Sequence, residues 1–96
     1  MEIGEFQKRI ERMYFERDRA RGAGGTFMWF VEEVGELATA LRHGTRKEQE
    51  EESADVLAWL VTLASIQGIS MEEAIGKYTD GCPYCGKIPC QCSQKI

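Results

Sequence analysis

Two pairs of acids carry the chemistry this sequence can offer. Glu33 and Glu36 lie in Phe30-Val31-Glu32-Glu33-Val34-Gly35-Glu36-Leu37, and Glu52 and Asp55 lie in Glu51-Glu52-Ser53-Ala54-Asp55-Val56-Leu57. Each pair is three positions apart, a spacing that stacks two side chains on one face of a helix. Two such helices, side by side and antiparallel, would point four carboxylates into one volume. Like charges at that density must take up protons or bind cations. No Lys or Arg follows any of the four at a spacing of four, so neither pair has a neutralising partner on its own helix. A cation site is the expectation, and oxygen ligands without His favour Mg2+ or Mn2+ over zinc, copper or a His-supported di-iron centre. The plainer alternative is a solvated acidic face, since Glu48-Gln49-Glu50-Glu51-Glu52 is Glu-rich in its own right.

A second group is separate in sequence and in chemistry. All four cysteines fall between Cys82 and Cys92, too close together to cross-link a helical body. Cys82-Pro83-Tyr84-Cys85-Gly86 has the pattern of a metal knuckle, and Cys90 and Cys92 can complete four thiolate ligands. Zinc is the expected ion; disulfides, reduced thiols or iron are the alternatives. The cluster has no open position and no general base, so its expected role is structural or docking. Thiolates select zinc and carboxylates select magnesium, so the two sites should not compete.

The elements that must position these groups follow from hydrophobic period and punctuation. Ile3, Phe6, Ile10, Met13 and Tyr14 recur at helical spacing and predict a first helix to about Arg19. Arg21-Gly22-Ala23-Gly24-Gly25 predicts a loop, either a connector or a mobile segment that brings Asp18, Arg19 or Arg21 over a ligand. Thr26 is the expected N-cap of a second helix with the stripe Phe27, Phe30, Val34, Leu37 and Leu41, ending at a left-handed Gly44. Gly35 inside that helix implies a close approach by a neighbouring helix or a ligand. His43 in its last turn reads as an ordinary C-terminal cation. Thr45-Arg46-Lys47-Glu48 is a capping box opening a third helix to about Gln67, with Val56, Leu57, Leu60, Val61, Leu63 and Ala64 as its apolar face. Trp59 continues the acid row of Glu52 and Asp55, so it is either core or the border of a base-sized ligand. Ser70-Met71-Glu72-Glu73 is a second capping box, opening a short fourth helix that Gly81 ends.

The combination of Glu32-Glu33-Val34-Gly35-Glu36-Leu37, Glu52-Ser53-Ala54-Asp55-Val56-Leu57 and Ala74-Ile75-Gly76-Lys77-Tyr78 resembles the MazG-like family of all-α nucleoside triphosphate pyrophosphohydrolases, over about Phe27 to Tyr78. The resemblance implies a four-helix bundle, a homodimer or homotetramer, and Mg2+-dependent cleavage of NTPs or dNTPs to the monophosphate and pyrophosphate. By position it implies Glu33, Glu36, Glu52 and Asp55 as metal ligands and Lys77 as a phosphate contact. Glu32 becomes a candidate to orient the attacking water, and Trp59, Phe30 or Trp29 a candidate to stack on the base. Where similar proteins continue after the lysine with Asn and Arg, this chain has Thr79-Asp80-Gly81-Cys82. Positive charge must then come from Arg42, Arg46, Lys47, an Arg of the glycine segment or another subunit.

The expectation is therefore an all-α domain over residues 1–81 with a cysteine-rich tail over 82–96, housing a nucleotide pyrophosphohydrolase with a house-cleaning role. The alternative is a non-catalytic helical scaffold that docks a partner through the tail. A net charge of -4 and no basic stripe argue against a nucleic-acid partner. No basic leader or apolar run of membrane-spanning length is evident, which places the expected site of action in the cytoplasm, away from membranes.

Overall fold

The computed structural model describes residues 1–93. Its elements are α1 (Ile3–His43), α2 (Arg46–Ile66), α3 (Met71–Ala74) and a 3-10 turn at Ile75–Tyr78, with the cysteine tail following in turns. The all-α class holds, and no strand occurs among the described residues. The four-helix count does not hold, because the described residues form three α-helices and one 3-10 turn. The expected first and second helices are one element, interrupted only at Gly22, where φ is 81° and ψ is 171°. Glycine takes that positive φ without a Cβ penalty, so one residue absorbs the whole break.

Helix resumes through Ala23, Gly24 and Gly25, where a loop was expected. The poor helix propensity of the two glycines is offset by tertiary contact. Thr26, expected as an N-cap, is instead fully enclosed, and its Oγ1 accepts a hydrogen bond at 3.1 Å from Nη1 of Arg21 across the kink. Gly44 ends α1 in an extended conformation, φ −85° and ψ 169°, not in the left-handed one. Glycine is needed there for space: a Cβ would lie 2.8 Å from the Ala40 carbonyl oxygen.

The capping box of α2 forms in full. Glu48 N donates to Thr45 Oγ1 at 3.1 Å, and Thr45 N donates to Glu48 Oε1 at 2.8 Å. The two-residue link Gly44-Thr45 forces α2 back along α1, so Ala40 meets Gln49 and Trp29 meets Trp59. Near the start of α1, buried Gln7 donates to Ser65 Oγ and to the Ile69 carbonyl, and its own Oε1 accepts from Met71 N. One amide thereby ties α1 to the end of α2 and the start of α3. Where a short fourth helix was expected, Ser70 caps a single α turn that tightens into the 3-10 turn.

The core inside one chain is thin. Ile10, Ala40, Val61 and Ala64 are its buried apolar residues. The expected stripe of Phe27, Val34 and Leu41 lies open, with Phe27 52 % and Leu41 61 % exposed. Among the described residues, apart from the contact of α3 near its start, α1 is covered by α2 alone, along one side. Gly35 likewise has open space where a close neighbour was expected. Among the described residues no single helix is long and apolar enough to cross a membrane.

Candidate metal centre and adjoining cavity

The α1–α2 hairpin brings Glu33, Glu36 and Glu52 together, with one carboxylate oxygen of each within 4.8 Å of the others. The antiparallel pairing supplies this convergence: each acid borders the seam where the two helices meet. Oε2 of Glu33 and Oε2 of Glu52 are buried with no hydrogen-bond partner. Such atoms are costly unless a donor, a proton or a cation reaches them. Burial lifts the Glu33 carboxyl to about 7, with the charges of Glu36, Asp55 and Glu52 adding to the effect. Glu52 is raised for the same reasons, burial first and then Glu36 and Asp55. Carboxylates so placed are starved of positive charge, and the donor set, all oxygen, suits a hard divalent cation. The residues present therefore fit the expected metal.

Asp55, the fourth expected ligand, stands outside the three-membered set. It is exposed and lies on the wall of a neighbouring cavity of about 270 Å³, near enough for its charge to act on Glu33. Tyr14, Arg17, Asp18 and Arg21 from α1 and Trp59 from α2 share that wall. Arg21 is fixed in three ways: 3.1 Å from Asp18 Oδ1, 3.1 Å from Thr26 Oγ1, and 5.0 Å above the Trp59 ring. Trp29 stacks on Trp59 at 6.2 Å with 15° between the planes. A planar aromatic face, two guanidinium groups and a carboxylate cluster thus adjoin one another.

The other expected residues fall at various distances from this centre. Glu32 is exposed on the turn beside Glu33, and Phe30 stacks on Phe27 at 6.1 Å. Lys77 is exposed on the 3-10 turn with its Nζ 5.2 Å from the Tyr78 ring, and it does not line the cavity. Arg46 and Lys47 face Glu50 and Glu51 across one helical turn at the surface. Arg19 sits over Phe15, at 5.8 Å. Two further residues enter here: Arg17, for which the sequence carries no expectation, and Tyr14, expected only as part of the apolar stripe of the first helix. The signal was available, because Ile10, Tyr14, Arg17, Asp18 and Arg21 recur at helical spacing and the polar members share the face of the apolar ones.

In the tail, the sulfur atoms of Cys82, Cys85, Cys90 and Cys92 lie within 4.8 Å of one another, and no disulfide joins any two of them. Backbone amides of Gln91 and Lys87 directed at Cys85 pull its thiol down to about 6. Positions 94–96 of the expected tail lie outside the described residues.

The chain matches the family model of the MazG nucleotide pyrophosphohydrolase domain over residues 24–85. No curated protein matches it. The matched stretch opens just after the kink at Gly22 and takes in both acid pairs, Trp59, Lys77 and the first two cysteines. With well over half of its length matched, and with the acids of that stretch converging as described, the chain belongs to the MazG nucleotide pyrophosphohydrolase domain family.

Proposed function

We propose that this chain is a Mg2+- or Mn2+-dependent hydrolase that cleaves nucleoside or deoxynucleoside triphosphates to the monophosphate and pyrophosphate, and so clears unwanted nucleotides. The observation that carries this reading is the pair of buried, unpartnered oxygens of Glu33 and Glu52 within the three-carboxylate cluster. When bound, a divalent cation neutralises triphosphate charge and makes a water nucleophilic enough to attack phosphorus. Glu33, Glu36 and Glu52 would hold it, with Asp55 on the adjoining cavity wall as the fourth carboxylate of the set. Glu32, at the adjacent position, orients the water. Arg17 and Arg21 supply the positive charge that other members place after the lysine, gripping phosphate oxygens that reach the cavity. Trp59, backed by Trp29, offers its ring to the base.

Lys77 reaches phosphate in this reading only within an assembly, which fits the bare face of α1. Exposed Phe27, Met28, Val31 and Val34 beside the open backbone of Gly35 form an apolar surface that a second copy would cover, as a homodimer or homotetramer. The zinc expected at the tail has no part in the hydrolysis, because thiolates and carboxylates select different ions.

The test is pyrophosphate release from a panel of NTPs and dNTPs with Mg2+, comparing the native chain with Glu36→Ala. Release that requires both the metal and Glu36 supports the enzyme. The loss of a direct ligand should cost at least what an outer-shell partner does, roughly 10- to 100-fold. Circular dichroism of Glu36→Ala must remain helical, since removing one acid from a repulsive cluster does not unfold the metal-free chain. No release by folded native protein across the panel would favour the scaffold alternative.

A further inference from the structure

We infer that the tail is a closed zinc tetrathiolate site, one ion per chain, and that the ion serves as the core of this segment. The first support is the sulfur geometry. Cys82 Sγ lies 3.7 Å from Cys92 Sγ, and Cys85 Sγ lies 3.9 Å from Cys90 Sγ. Disulfide sulfurs would be about 2.05 Å apart. Four sulfurs placed tetrahedrally around an ion at about 2.3 Å are separated by about 3.8 Å, the value that Zn–S bonds dictate. Both pairs match that edge. The single residue between Cys90 and Cys92 is therefore compatible with closure, although the spacing is tighter than in a symmetric double knuckle.

The second support is the backbone around the sulfurs. Gln91 N donates to Cys85 Sγ and Cys92 N donates to Cys90 Sγ, each at 3.3 Å, so amide dipoles already face atoms that carry negative charge when bound to a metal. The chain closes on itself through Gly86 N to the Cys82 carbonyl at 2.7 Å and Cys82 N to the Lys87 carbonyl at 3.1 Å. Gly81, at φ +118°, leaves no room for a Cβ against Ile88 and the Gly86 carbonyl. The third support is what the segment lacks. Tyr84 is 64 % and Ile88 81 % exposed, so no apolar burial holds these turns together. Twelve residues from Gly81 to Cys92 cannot offset their ordering entropy with exposed side chains, and an ion bound by four thiolates can. With all four positions filled by sulfur, no site is left for water or substrate, so the ion stabilises and does not catalyse.

The test uses the full chain, purified reduced and without chelators. Native mass spectrometry should show one zinc per chain, retained in Glu36→Gln and lost in Cys85→Ser. Replacement by Co2+ should give the visible bands of tetrahedral thiolate cobalt, a readout that needs no variant to fold. Chelation should raise amide hydrogen exchange across Gly81–Cys92 while α1 and α2 keep their protection. Each of three results would overturn the inference: bound iron in place of zinc, a mass lower by two or four hydrogens from disulfides, or no metal with no tetrahedral cobalt spectrum. None of these outcomes bears on whether the carboxylate site hydrolyses nucleotides.

Discussion

At the scale of single residues, Glu33 is the most informative side chain. Its carboxyl titrates near 7 in the folded chain against about 4.5 when free, with burial the main cause. The folded state therefore holds an extra proton between those two values. The Glu33 contribution to metal-free stability is full below about pH 4.5, falls as pH rises toward 7, and is lost above it. Thermal unfolding in chelator across that range should show the decline, and Glu33→Gln should flatten it. A cation must displace this proton, so the rise in melting temperature with Mg2+ should grow from about pH 6 to pH 8. A Mg2+ effect independent of pH would place the ion away from Glu33. Arg21 makes a second residue-scale case, because Asp18, Thr26 and the Trp59 ring all hold its guanidinium in place. Arg21→Ala should raise KM roughly tenfold or more, as expected for a lost charge-assisted contact, and leave kcat within a few fold. Trp fluorescence on adding nucleotide reads the same contact without turnover, and unchanged affinity would remove Arg21 from the binding site.

At the scale of elements, the hairpin of α1 and α2 sets the carboxylate spacing, and its closure is local. Thr45→Ala removes one hydrogen bond of a complete capping box and should cost about 1 kcal/mol. Gln7→Leu acts at the other end of the hairpin. It leaves the part-buried Ile69 carbonyl and Met71 amide without the partner they now share, at a cost of about 1 kcal/mol for each lost hydrogen bond. Urea denaturation should rank Gln7→Leu at or above Thr45→Ala. The reverse order would mean that α3 adds little to the fold.

For the whole molecule, a thin core beside a broad bare face is what motivates the proposed assembly. Among the described residues Val61 and Thr26 are the largest fully enclosed side chains, whereas Met28 is 70 % exposed beside Phe27 and Val31. A chain of this length has little stability to spare if such a surface faces water. Sedimentation equilibrium at micromolar concentration should give two or four chains per particle, and Met28→Glu should shift it toward one. A monomeric native chain would leave the exposed stripe of α1 without an explanation and remove Lys77 from the proposed site.

Much of this protein is legible in the amino-acid order because the signals are local. Helical spacing of Glu33 with Glu36 and of Glu52 with Asp55 places each pair on one face, and Thr45 with Glu48 announces the start of α2. Cysteine spacing within a dozen residues restricts the tail to a single cluster. Other features depended on tertiary contact. Propensity read Arg21 to Gly25 as a loop, but the burial of Thr26 and its bond to Arg21 carry the helix through Gly24 and Gly25, leaving the break at Gly22 alone. The extended Gly44, the open Gly35, and the position of Asp55 on the cavity wall instead of among the other three acids also depend on how the helices meet. Sequence determined which residues share a face, since that depends on the backbone period. Tertiary structure decided which faces meet, since that depends on the kink angle and on how much apolar surface one partner helix can cover.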